Sequence, residues 1–218
     1  MRTILVLNSK GGSGKTTIAT NLAVFYALRD CSVALVDCDP QASSLDWLAE
    51  RPTNRTRIRG IDGSQGRVRV GKSIDVAIID APAALRGRNL TELIRRTQTV
   101  VMPVIPTPVD MRAAMRLHDE LVEVSRIINR RVKLATIANR VREISPSREV
   151  LEEFLRALKL PDGRRLPFIA LLRNSQNYVK ASARGLGIAE IAPSAVVRDL
   201  ELWRPLIRWL NSRHALPD

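Results

Sequence analysis

The apolar positions of this chain fall into short unbroken runs separated by stretches with helical spacing. Thr3-Ile4-Leu5-Val6-Leu7, Ser32-Val33-Ala34-Leu35-Val36, Asp75-Val76-Ala77-Ile78-Ile79, Thr99-Val100-Val101-Met102-Pro103-Val104, Val132 to Ala138 and Pro167 to Leu171 read as strands buried on both faces. Between them the pattern predicts helices over about Lys15–Arg29, Ser43–Ala49 and Asp110–Asn129, the last with Ala114, Leu117, Leu121, Val124 and Ile128 at helical spacing. Another opens at Ser145-Pro146, with Ser as N-cap and Pro in the first turn, and two more cover about Gln176–Ala183 and Val196–Asn211. Strands alternating with helices imply an α/β fold: a doubly wound, mostly parallel sheet with helices on both faces. No repeat, low-complexity tract or linker interrupts the pattern, so residues 1–218 are expected to form a single domain.

Residues 51–73 break the alternation. Arg51, Arg55, Arg57, Arg59, Arg67, Arg69 and Lys72 face one acid, Asp62, with glycines between them, and the stretch reads as a mobile loop or a short edge hairpin. It belongs to a wider excess of charge: 35 Lys and Arg stand against 22 Asp and Glu, a formal +13. Such an excess favours a polyanionic partner, nucleic acid before a membrane surface. Aromatics make up 4% of residues and apolar residues 45%, so the core is aliphatic. The two cysteines, Cys31 and Cys38, form neither a disulfide framework nor a metal pair. No apolar run approaches bilayer length, and a cytoplasmic protein is expected.

The first strand runs into Ser9-Lys10-Gly11-Gly12-Ser13-Gly14-Lys15-Thr16-Thr17 and then a helix. A glycine-rich turn between strand and helix lets several N–H groups point into one hollow, at which the helix N-terminus also aims. In such a phosphate loop Lys15 neutralises β- and γ-phosphate charge, Thr16 offers its hydroxyl to Mg²⁺, and Thr17 reaches the α-phosphate. Two further strands end in acids: Asp37-Cys38-Asp39-Pro40-Gln41 and Asp80-Ala81-Pro82-Ala83. Acids at the C-terminal ends of parallel strands lie where open α/β sheets bind ligands. Asp80, closing an apolar strand, is placed to hold Mg²⁺ through a water.

Lys-Gly-Gly-x-Gly-Lys-Thr-Thr, with its early lysine Lys10, resembles the deviant Walker A box of the ParA/MinD family, in the small type without an N-terminal DNA-binding domain. The resemblance implies that Lys10 reaches across an ATP-dependent homodimer to the partner's phosphates, that Asp39 orients the attacking water, and that Asp37 supports the Mg²⁺ shell. Asn139-Arg140 resembles the pair that reads adenine, and Leu171-Leu172-Arg173-Asn174 the later base-side segment, with Leu172 in place of the family's Pro. Ala83 likewise replaces the second Pro of the switch. Pro106-Thr107-Pro108-Val109-Asp110 resembles the interface segment of the small plasmid-partition ATPases, and the Arg184-Gly185 turn fits the same pattern.

The resemblance thus implies an Mg-dependent ATPase that partitions or positions a cargo on the nucleoid. It binds nonspecific DNA as a dimer and is stimulated by a ParB-like or adaptor partner. Candidate DNA contacts are Arg173, Lys180, Arg184, Arg198, Arg204 and Arg208, with the arginines of 51–73. The alternative is a MinD-like membrane-associated ATPase using the C-terminal amphipathic helix. Leu202, Leu206, Trp209 and Leu210 form the stripe expected of a helix packed on the sheet, and the tail 212–218 carries no apolar run, so a membrane is the less favoured partner. Iron–sulfur and metal-carrier relatives need cysteines that this chain lacks.

Overall fold

The computed structural model describes residues 1–66, 68–127 and 132–217. Seven strands form one sheet: β1 (Arg2–Val6), β2 (Val33–Asp37), β3 (Arg59–Asp62), β4 (Val76–Asp80), β5 (Thr99–Val104), β6 (Lys133–Val141) and β7 (Phe168–Arg173). Their spatial order is β3-β2-β4-β1-β5-β6-β7, and every pairing is parallel. The α/β reading holds, and the sheet is wholly parallel.

Helices cover both faces. One face carries α1 (Lys15–Ala27), α2 (Ser43–Ala49), α6 (Gln176–Ser182) and α7 (Pro193–Leu210). The other carries α3 (Gly87–Arg95), α4 (Pro108–Ile127) and α5 (Pro146–Ala157). Helix α1 is apolar almost all round, as a helix enclosed on every side must be. Its Phe25 ring lies 5.2 Å from the ring of the fully buried Trp203 on α7. Trp203 in turn donates its Nε1–H to the Tyr178 hydroxyl at 2.9 Å. Trp203, Leu206, Ile207 and Leu210 are buried, so α7 is a core helix.

The structure departs from the sequence reading in four places. Residues 59–62 form an edge strand parallel to β2, not a hairpin or a free loop. Gly60 lets α2 lie close over this strand, since a Cβ there would come within 2.8 Å of Leu48 Cδ2 and 2.9 Å of Leu45 Cδ2. Helix α3 was not anticipated; its Leu90 and Ile94, one turn apart, are buried against α4. Strand β6 continues through Asn139 and Arg140 to Val141. Ser145 occupies the N-cap of α5, but its hydroxyl makes no capping bond and donates to the Arg142 carbonyl at 3.4 Å. Arg67, the expected helical continuation through Ile128 to Asn129, and Asp218 lie outside the described residues.

Register decides where function sits. Asp37 on β2 is level with Asp80 on β4, and Asp80 is level with Val6 on β1. Three strand ends therefore converge beside the turn that leaves β1, near where the sheet's winding reverses and open α/β sheets bind ligands.

Candidate nucleotide site

Asn8, fully buried just after β1, fixes the start of the loop. Its amide donates to the Pro103 carbonyl at 2.6 Å and its Oδ1 accepts from the Lys10 amide at 3.0 Å. Sequence reasoning missed this residue; the signal was a lone Asn ending an apolar strand before the glycines. Two loop glycines have the left-handed backbone that side chains resist, Gly12 at φ 79° and Gly14 at φ 87°. At Gly14 there is also no room, since a Cβ would lie 2.3 Å from Asn139 Nδ2.

The loop is closed on its own lysines. The Ser13 hydroxyl donates to the Lys10 carbonyl at 3.3 Å, and Lys15 Nζ donates to the same oxygen at 3.1 Å. Lys15 is buried, and that burial lowers its pKa, opposed by the negative charge of Asp80 and Asp39. The Lys10 side chain is half-buried at the loop's start, Gly11 and Gly12 face outward, and Thr16 and Thr17 sit half-buried in the first turn of α1.

The acids differ sharply. Burial pushes the Asp80 carboxyl up to about 7, against a hydrogen bond from the Thr16 hydroxyl; the nearby charge of Asp37 raises it further and that of Lys15 lowers it. Asp80 Oδ1 is buried with no hydrogen-bond partner. Asp37 is fully engaged: Oδ1 accepts from the Asp39 amide at 3.0 Å, and Oδ2 from the Ser44 and Leu45 amides at 2.8 and 3.2 Å. It anchors the N-terminus of α2 and the turn before it. Asp39 is half-buried and makes only a turn bond, accepting from the Gln41 amide at 3.0 Å.

Asn139 and Arg140 arrive from the end of β6. Asn139 donates to the Ser13 carbonyl at 2.8 Å and Arg140 Nη1 to the Gly12 carbonyl at 3.2 Å, so both brace the loop from one side. The segment after Asp80 is pinned from the other: the Ala84 amide donates to the Ser9 carbonyl at 3.0 Å, with Ala84 itself at φ 59°. The Pro106–Asp110 segment opens α4, where the Thr107 hydroxyl accepts from the Asp110 amide at 3.1 Å and donates to the Asp110 carboxylate.

Among the described residues no group of three or more His, Cys, Asp and Glu side chains forms a metal cage. The Thr16 hydroxyl and the orphaned Asp80 oxygen suit a hard cation that keeps most of its waters, as Mg²⁺ does beside phosphates.

The candidate DNA cations are dispersed. Arg173, at the end of β7, donates to both oxygens of the buried Asp199 at 2.7 and 3.1 Å, which raises its own pKa. Asn177 and Ser175 donate to the same carboxylate, so Arg173 belongs to a knot between α6 and α7 and is not a free cation. Arg198 bonds Glu143 and Glu201. Lys180 on α6, Arg184 in the following turn, and Arg204 and Arg208 on α7 are exposed.

The model of the CobQ/CobB/MinD/ParA nucleotide binding domain matches residues 4–188. The chain belongs to this family. Among curated ParA/MinD relatives, the Maintenance of carboxysome distribution protein A of Gloeobacter kilaueensis is 31% identical over 205 residues, covering 87% of this chain and 93% of that protein. Protein ParA of Rhizobium radiobacter is 26% identical across 97% of this chain and 100% of its own length. Among solved structures, the ATP complex of Cyanothece McdA superposes with a TM-score of 0.74 at 16% identity, covering 94% of this chain and 96% of that one. MinD in the Aquifex aeolicus MinC:MinD complex does so with 0.67 at 17%, covering 95% and 96%. At these identities the structures speak for the ParA/MinD fold, the wholly parallel sheet with helices on both faces.

Proposed function

We propose that this chain is a ParA-like ATPase that binds Mg-ATP, closes as a homodimer around it, and binds nonspecific DNA in that state. A ParB-like or cargo-adaptor partner then stimulates hydrolysis and releases the dimer, so that repeated cycles partition or space a cargo in a nucleoid-associated, cytoplasmic protein. One relative's name supplies a cargo class, the carboxysome. Because one sheet runs through the chain, the reading treats residues 1–218 as a single ATPase domain.

The observation that carries the reading is the buried Asp80 carboxylate with an unpartnered oxygen beside the Thr16 hydroxyl, at the foot of a loop that buries Lys15. A buried polar atom left without a partner costs about 1–3 kcal/mol, so such a site favours a ligand that satisfies it. Mg²⁺ held by Thr16 and, through water, by Asp80 would neutralise charge developing on the phosphates. Lys15 moves from its own loop carbonyl onto the β- and γ-phosphates, and the amides of 11–16 supply fixed donors. Asp39, with a free carboxylate oxygen at the site's edge, orients the attacking water, while Asp37 holds the Asp39 backbone in place. Lys10, half-buried at the loop's start, is the group offered to the partner's nucleotide. Asn139 keeps one amide hydrogen and its oxygen for the base edge. A MinD-like membrane reading is disfavoured because Trp203, Leu206, Ile207 and Leu210 of α7 are buried in the core, with Leu202 and Trp209 partly buried against it. Among the described residues no helix is long and apolar enough to cross a membrane.

The test is steady-state ATP turnover beside ATP binding and solution mass. Asp39→Ala should bind ATP normally and turn over about 10²-fold more slowly. Lys10→Ala should bind ATP but remain monomeric. Normal turnover in the first variant, or an ATP-dependent dimer in the second, would remove those roles.

A further inference from the structure

Arg51, at the end of α2, joins two segments far apart in sequence. Its Nε and Nη2 donate to the Thr56 carbonyl at 3.1 Å, and Nη1 donates to the Gly185 carbonyl at 3.0 Å. The same guanidinium forms a two-pronged pair with Glu190 at 2.8 Å and lies over the Trp47 ring at 5.6 Å. The paired side chains are 5% and 1% exposed, so this is an interior clamp and not a surface ion pair. The fit is tight: Gly185 is at φ 61°, and a Cβ there would lie 2.4 Å from the Arg51 amide nitrogen.

One guanidinium therefore holds two carbonyls, and exposed arginines flank each. Arg55 and Arg57 flank Thr56, and Arg184 precedes Gly185. Among the described residues none of the three has an ion pair or a side-chain hydrogen bond. Glu190 at this junction is neutralised by Arg51, and Glu50, whose backbone lies against Gly185, is an exposed acid there. None of the large exposed apolar side chains falls in 51–57 or 183–187. A cationic surface without apolar anchors fits a phosphate backbone better than a protein, whose interfaces are centred on aromatic and apolar groups, or a membrane, which needs side chains to insert.

We propose that Arg55, Arg57 and Arg184, whose neighbours Thr56 and Gly185 meet at the Arg51 guanidinium, form the surface that contacts the phosphate backbone of duplex DNA. This rests on the DNA-binding reading above and places the contact at the junction of the 52–57 loop with the turn after α6. It shifts weight away from Arg173 and Arg198, whose charges are already paired.

The experiment is fluorescence anisotropy of a random-sequence duplex titrated with the full chain and ATP at several salt concentrations. Arg55→Ala/Arg57→Ala/Arg184→Ala should weaken binding at least tenfold and make log K against log salt shallower by up to about 3 for each protomer in contact with the duplex, since each phosphate contact contributes about 0.9. ATP binding and the melting temperature should not change, and the corresponding triple Lys variant should keep most of the affinity. Arg204→Ala/Arg208→Ala should bind nearly as the parent does. If the parent binds DNA and the triple alanine variant binds equally well, this surface is wrong while the DNA reading stands. If the parent binds no duplex, the DNA reading fails and the surface with it.

Discussion

The nucleotide face and the basic rim are built on opposite plans. Around the phosphate loop nearly every polar group already has a partner: Lys15 on the Lys10 carbonyl, Asn139 on Ser13, Arg140 on Gly12, and Asp37 on three amides. Among the fully buried side-chain oxygens and nitrogens of the loop and of Asp37 and Asp80, the exception is one oxygen of Asp80. At the rim a single guanidinium, Arg51, is fully bonded, and the arginines beside the carbonyls it holds are solvated. The first plan fixes geometry before a ligand arrives, which is what stabilising a charge that develops in a transition state requires. The second supplies charge on flexible stems, sufficient for a backbone that is recognised by its charge and not by its sequence.

The contrast breaks most readily at Lys15. Lys15→Ala removes the one buried cation of the loop and should weaken ATP binding by at least about 100-fold, roughly 2.8 kcal/mol at 1.4 kcal/mol per decade. Titration with a fluorescent ATP analogue reads this directly; unchanged affinity would show that the loop does not cradle the triphosphate. Single arginine changes at the rim should leave ATP affinity alone.

Arginines themselves divide along the same line. Arg173→Ala strands the buried Asp199 carboxylate, which hydrogen bonds from Arg173, Asn177 and Ser175 hold below its usual range despite burial. Denaturant unfolding should show a loss of about 2–4 kcal/mol. Arg184→Ala should stay within about 0.5 kcal/mol. Equal losses in the two would erase the distinction between a structural and a solvated arginine.

Gly14→Ala sharpens the claim that the loop is braced from β6. A left-handed residue other than glycine costs about 1–2 kcal/mol, and here the new methyl also meets Asn139 Nδ2. Thermal melts should show the loss, and Asn139→Ala in the same chain should restore part of it by removing the clash. No restoration would mean that the strain is purely local to the turn.

How much of this was legible in the sequence follows the range of the interactions. The loop, the acids ending β2 and β4, and most strands are set by neighbouring residues: glycines where φ is positive, apolar runs where both faces are buried. The edge strand β3 was hidden because Gly60 and Arg59 carry no strand signal of their own; the glycine is there because α2 packs closely over it. Helix α3 was hidden because only Leu90 and Ile94 mark its buried side in a polar segment. The roles of Asp37 and Asp39 could not be separated by spacing alone, since only the fold shows which carboxylate the helix α2 amides engage. The Arg51 clamp spans 139 residues and leaves no trace in either segment.

The smallest effect isolates the unpartnered oxygen. Burial raises the Asp80 carboxyl to about 7, far above its ordinary value of 3.8. The folded nucleotide-free chain therefore holds a proton that the unfolded chain releases above about pH 4. Stability from this group is complete below that pH and is lost as pH rises through about 7, where the folded state must bury the anion. Asp80→Asn carries no such charge. Without nucleotide the excess of its melting temperature over the parent's should grow by a few degrees between pH 5 and pH 8, where other carboxylates titrate alike in both chains. A gap that is constant across this range would mean that Asp80 is ionised in the resting site at both pH values, and that its neighbours Lys15 and Thr16 outweigh its burial.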